Sequence, residues 1–179
     1  YAAAGMIGRA LIFFVGPMVA VMFPKIVKSH AEQKPTDMLR FTLLLTAGLC
    51  AIAIALGILM PDLPLRMVYD ESFLIATPLV PWFIAAMAPL ALAAVLVNNI
   101  LARCKSKNVY LLLGVPVIYA GLLCYAGPKI AEQTSDGFNV DAHISMVGLI
   151  GMGNLCFLAS TVILTWVVNQ EEKLLLAQA

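Results

Sequence analysis

Apolar residues run through this chain in long blocks separated by short polar connections. The blocks cover roughly 2–23, 41–60, 73–102, 108–127 and 144–168. A hydrocarbon core of about 30 Å is crossed by about 20 helical residues at a rise of ~1.5 Å, so each block is predicted to be a membrane-spanning helix. The pattern predicts an all-α membrane protein, a polytopic helical bundle of about five spans over residues 1–168, followed by a tail over 169–179. Only one formal charge, Arg9, falls inside a block.

The connections carry nearly all the other charge. Residues 24–40 hold Lys25, Lys28, Lys34 and Arg40 against Glu32 and Asp37, and 103–107 hold Arg103, Lys105 and Lys107 with no acid. Residues 61–72 set Arg66 against Asp62, Asp70 and Glu71, and 128–142 set Lys129 against Glu132, Asp136 and Asp141. Basic and Lys/Arg-poor connections therefore alternate. By the positive-inside rule, 24–40, 103–107 and the tail from Asn169 are expected in the cytoplasm, and the chain start, 61–72 and 128–142 outside. The cluster Arg103, Lys105 and Lys107 is explained by topology, with a contact to anionic headgroups second.

Composition sharpens the picture. The 179 residues are 62% hydrophobic and 12% charged, against about 45–50% and about 25% in soluble domains. A soluble fold is excluded, and several spans exclude a lone signal peptide or anchor. With 11 Lys+Arg against 10 Asp+Glu, net charge +1, nucleic-acid binding has no electrostatic basis. Cys50, Cys104, Cys124 and Cys156 form no C-x-x-C pair, and His30 and His143 are expected on opposite sides of the membrane. Neither a disulfide nor a metal site is indicated. Tyr1 already lies within an apolar run, so the chain is read as the C-terminal part of a longer protein.

The third block is too long for one straight span, because its 30 residues would make a helix of about 45 Å. Pro78 and Pro81 lie near its outer end and Pro89 in its middle, each removing a donor and crowding the preceding turn. An interfacial stretch over about 73–80 followed by a tilted or kinked span is expected. Pro17 and Pro116 predict further bends. Trp82 and Trp166 fit interfacial anchors.

Arg9 is the leading candidate for chemistry. A charge within a span costs at least ~2.5–3.5 kcal/mol and usually faces a bundle interior or watery cavity. At helical spacing it groups with Tyr1, Gly5, Gly8, Ile12 and Gly16, small residues that let a helix, water or ligand approach. Arg9 is expected to offer its fork to a phosphate or carboxylate. The alternative is that it snorkels to headgroups near the outer helix end. Asn98 and Asn99 end the third block, and Asn154 sits in the fifth beside Gly148, Gly151 and Gly153. These amides are read as interhelical glue, with a polar lining for sugar hydroxyls or a coupling cation as the other reading. No nucleophile–base pair, H-E-x-x-H or phosphate loop appears. Glu132, Asp136, Asp141 and His143 sit on a connection that reads as a solvated turn, so an enzyme is not expected.

The stretch Tyr1-Ala2-Ala3-Ala4-Gly5-Met6-Ile7-Gly8-Arg9-Ala10-Leu11, running on to Val21-Met22-Phe23-Pro24-Lys25, resembles the eighth transmembrane helix of oligosaccharide (polysaccharide) flippases. These belong to the multidrug/oligosaccharidyl-lipid/polysaccharide exporter superfamily. Val68-Tyr69-Asp70-Glu71-Ser72-Phe73, and the helix on to Asn98-Asn99-Ile100-Leu101-Ala102-Arg103, is similar to the family's acidic-aromatic outer turn and tenth helix. Asp70 stands where a Gly is common. The resemblance covers residues 1–127 by motif and 128–179 mainly by hydropathy, and its motifs are short and apolar.

The resemblance implies helices eight to twelve of a two-lobe, alternating-access transporter in the inner (cytoplasmic) membrane. Its partners would be a lipid-linked oligosaccharide, membrane lipids and an N-terminal lobe of the same chain. It implies that such a protein moves polyprenyl-diphosphate-linked glycans outward for cell-surface polysaccharide, including lipopolysaccharide, synthesis. It implies no cofactor beyond a coupling ion whose identity is open. Relatives that move peptidoglycan precursors carry a cavity arginine on the eighth helix, so Arg9 is implied as the diphosphate-binding cation. One arginine does not neutralise a diphosphate, so the other lobe must supply more. The alternatives are a multidrug/toxin extruder, which is expected to carry acidic residues in its spans where none is seen, and a non-transporting membrane scaffold.

Overall fold

The computed structural model describes residues 2–31, 38–102, 114–121, 123–125, 128 and 140–178. Among them the only regular structure is helical. The elements are α1 (Ala2–Ala31), α2 (Met38–Leu59), the short α3 (Leu63–Val68), a 3-10 helix (Glu71–Leu79), α4 (Val80–Ala102) and α5 (Val140–Gln178). α1, α2, the stretch ending in α4, and α5 are each long and apolar enough to cross a membrane. The chain is an all-α, multi-pass membrane bundle. The fourth apolar block lies partly outside the described residues, as do Arg103, Lys105, Lys107, Glu132 and Asp136. Within it, residues 114–121 and 123–125 are helical.

The long third block divides between Leu79 and Val80. Pro78 falls inside the 3-10 turns, and Pro81 falls in the first turn of α4, where proline is best tolerated. What remains is a 23-residue helix, about 35 Å long, that matches the hydrocarbon core. Pro89 stays inside it.

Two boundaries differ from the sequence reading. α1 passes through both Pro17 and Pro24 and runs to Ala31, so the first half of the basic connection is helix. The reason is packing: Met22 and Ile26, either side of Pro24, are buried in one apolar cluster with Val95 and Ala102, and that burial outweighs the cost of one proline. α5 continues past Trp166 through residues 169–178 as one 39-residue helix, about 58 Å long.

α4 is the centre of the bundle. Of its apolar stretch 56% is buried, against 22–28% for the other three. α1, α2 and α5 each pack on it. The contacts fix the helix directions: Gly8 near the start of α1 meets Phe83, Gly57 near the end of α2 meets Pro81 and Ile84, and Gly151 of α5 meets Ala86. Leu164 and Ile100 then share a cluster further along. α1, α4 and α5 therefore run parallel, and α2 runs against them. The connection 61–72, read from sequence as an outer turn, is ordered too. Leu65 of α3 is buried with Ala3, Ala4, Ala76 and Leu79, and so closes that end of the bundle. Tyr69 and Phe73 stack beside it with ring centroids 5.1 Å apart.

Candidate functional site

The glycine face of α1 splits into two. A Cβ on Gly8 would lie 2.9 Å from the Phe83 carbonyl oxygen, and one on Gly5 would lie 3.4 Å from the Phe83 ring. Both glycines let α1 close on α4. A Cβ on Gly16 would meet nothing outside its own helix within 4 Å among the described residues. Arg9 is exposed, like Gly16, and no described hydrogen bond or ion pair reaches it. The correction to the sequence grouping has a simple cause. Arg9 lies about 100° round the helix from Gly8 but only about 40° from Gly5 and about 20° from Gly16, so it stands past the edge of the contact with α4 that Gly5 and Gly8 make. Ile12, between the two sides, is half-buried.

The three asparagines do three different things. Asn98 folds back on its own helix, donating from Nδ2 to the Ala94 carbonyl at 2.8 Å. Asn154, buried on α5, donates from Nδ2 across to the Ala86 carbonyl of α4 at 2.8 Å, with Met87 Sδ at 3.9 Å. Ala86 lies in the turn before Pro89, inside the unbroken helix α4. The bond ties α5 to the backbone of α4. Asn99 is 1% exposed, and both its amide nitrogen and its oxygen lack any partner. The Oγ1 of fully buried Thr46 on α2 is also without one, as is that of Thr77 in the 3-10 turns. The other span hydroxyls behave differently: Thr42, Ser160, Thr161 and Thr165 bond back to carbonyls one turn earlier. The structure does not gather Arg9 with the asparagines. Asn154 lies level with Ala86, Asn99 lies near the far end of α4, and Arg9 lies on the open side of α1 one residue from the Phe83 contact.

Two hollows escaped the sequence reading. An apolar cleft of about 340 Å³ lies between α1 and α2, roofed by α3, and a more polar hollow of about 460 Å³ adjoins it around Asp62 and Arg66. The usable signals were Gly57, which lets α2 approach Ile84, and Pro61 and Pro64, which turn the chain back over the helix ends. Cys50, Cys124 and Cys156 are free thiols, and Cys104 lies outside the described residues. No family model, curated protein or solved structure matches this chain.

Proposed function

We propose that this chain is the C-terminal helical bundle of a flippase in the inner (cytoplasmic) membrane, one that moves polyprenyl-diphosphate-linked oligosaccharide to the outer leaflet. The observation that carries the reading is Arg9: a permanent cation inside an apolar helix, exposed on the side of α1 away from its closest contact with α4, with no described partner. About 10 Å of helix separates it from the start of α1, and an unpaired charge at that depth favours an anion entering from a second lobe. The resemblance of 1–25 and 68–103 to the exporter superfamily supports the same reading. In this mechanism Arg9 draws the diphosphate, the glycan occupies the space between lobes, and the prenyl tail stays in lipid. Differential binding to inward and outward states then shifts the equilibrium.

Asn154 serves as interhelical glue between α5 and α4, and Asn98 is satisfied on its own helix, so neither is needed as a sugar contact. The test uses the full-length protein in cells that accumulate untranslocated polyprenyl-diphosphate glycans. Wild type should rescue, Arg9→Ala should not, and Arg9→Lys should rescue in part, because it keeps the charge and loses the fork. Equal rescue by Arg9→Ala would remove the anion site. Failure of stably expressed wild type across several glycan systems would overturn the assignment.

A further inference from the structure

The cleft between α1 and α2 has walls of Ile7, Leu11 and Phe14 on one side and Ile52 and Leu56 on the other, with Leu63 of α3 above. Phe14, Ile52 and Leu56, which form its rim, are each more than half exposed. The cleft therefore opens sideways onto the surface that a bilayer covers, where hydrocarbon is its only solvent. Left empty, its lining would lose dispersion contacts along its whole length. An alkyl chain is the occupant that restores them.

The α3 end of the cleft adds a headgroup site. The second hollow shares Met60 and Leu63 with the cleft and contains one acid, Asp62, and one base, Arg66. Arg66 Nη2 lies 3.8 Å from Asp62 Oδ2, with the side chains 63% and 51% exposed, a separation too long for a hydrogen bond. Asp62 stands at the N-cap of α3 yet makes no capping bond. A guanidinium and a carboxylate, both with hydrogen-bonding capacity to spare, thus sit side by side at the polar end of an apolar groove.

We propose that cleft and hollow together bind one molecule of phosphatidylethanolamine, with an acyl chain in the cleft, its phosphate on Arg66 and its ammonium on Asp62. Charge complementarity selects the headgroup. The guanidinium fork matches two phosphate oxygens, and the ammonium gives the carboxylate a charge-assisted bond. An anionic headgroup would gain Arg66 but face Asp62, with Asp70 and Glu71 in the same connection. A choline headgroup carries the right charges but has no N–H to donate.

The test is native mass spectrometry of the intact protein in mild detergent with added phosphatidylethanolamine, phosphatidylcholine or phosphatidylglycerol. One phosphatidylethanolamine should be retained in preference to the others. Asp62→Asn and Arg66→Gln should each weaken retention by about tenfold, the value of one bond to a charged group. Ile52→Trp, which fills the cleft from its exposed rim, should abolish retention while helicity by circular dichroism is unchanged. Equal retention of all three lipids, preference for phosphatidylglycerol, no retained lipid, or wild-type binding by the Asp62 and Arg66 variants would each overturn the proposal. None of these outcomes bears on transport through Arg9.

Discussion

Pro89 divides the bundle into two halves built on different terms. Toward α3, the neighbouring helices close on α4 through glycine: Gly5 and Gly8 on Phe83, Gly57 on Pro81 and Ile84, and Gly151 on Ala86. There the cross-helix amide, Asn154, has its partner. Beyond Pro89 no described glycine touches α4, and the contacts are made by Val95, Ile100 and Ala102 with larger side chains. That half also holds Asn99, buried with both amide atoms unpartnered. Thr46 belongs with it, since antiparallel α2 carries it away from the Gly57 contact and past the level of Pro89. The two halves therefore differ in what holds them together. One half is held by backbone proximity and a cross-helix polar bond, although Thr77 Oγ1 is unpartnered there too, while the other is held by side-chain burial and leaves Thr46 and the whole Asn99 amide unpartnered.

The largest effect should come from crowding the close half. In Gly8→Leu the new side chain meets the backbone carbonyl of Phe83, which cannot turn aside as a side chain would. Overpacking of this kind costs about 1–3 kcal/mol, so the thermal midpoint of the detergent-solubilised protein should fall clearly, while Gly16→Leu, with open space around it, should leave it nearly unchanged. Equal shifts in the two variants would show that α1 does not close on α4 at Gly8.

Next in size is Asn154→Leu, which removes the donor to the Ala86 carbonyl. A cross-helix bond in a membrane is worth roughly 0.6–2 kcal/mol, and a loss within that range is expected in a denaturant titration. Asn99→Val should behave oppositely. It removes two unpaired polar atoms from an apolar site and should be neutral or stabilising by up to about 1 kcal/mol. A loss as large as that of Asn154→Leu would mean that Asn99 is satisfied after all, and would erase the contrast between the halves.

Much of this architecture was legible in the sequence. Block lengths and charge-free runs marked the spans, and Pro78 and Pro81 marked where the third would divide, because both facts act locally through chain geometry. The first helix outran its apolar block for the opposite reason: the charge of the connection and the local cost of Pro24 are overridden by the burial of Met22 and Ile26, which only the tertiary structure supplies. Leu65 could not be recognised as a plug, since one apolar residue among Asp62, Pro64 and Arg66 gains its meaning from Ala3, Ala4 and Leu79 far away in the chain. The site was legible only as a set of unusual residues. Sequence singled out Arg9 and the asparagines, but the side of the helix each occupies, and the separate fates of Asn98, Asn99 and Asn154, depend on a register between helices that periodicity does not contain.

The shared direction of α1, α4 and α5 also has an electrical side. Each helix carries the equivalent of about half a positive charge at its N-terminus and half a negative charge at its C-terminus, and among the described residues three of the four long helices are aligned, so the macrodipoles of those four do not cancel. The end where α3 lies is therefore the positive pole of these helices, and four of the six acids on described residues stand there, Asp62, Asp70 and Glu71 around α3 and Asp141 in the first turn of α5, while Glu171 and Glu172 lie on α5 at the far end. At the opposite pole stand Lys25 and Lys28 on α1. For those four acids and two lysines, the placement is the one that the helices' own peptide groups favour.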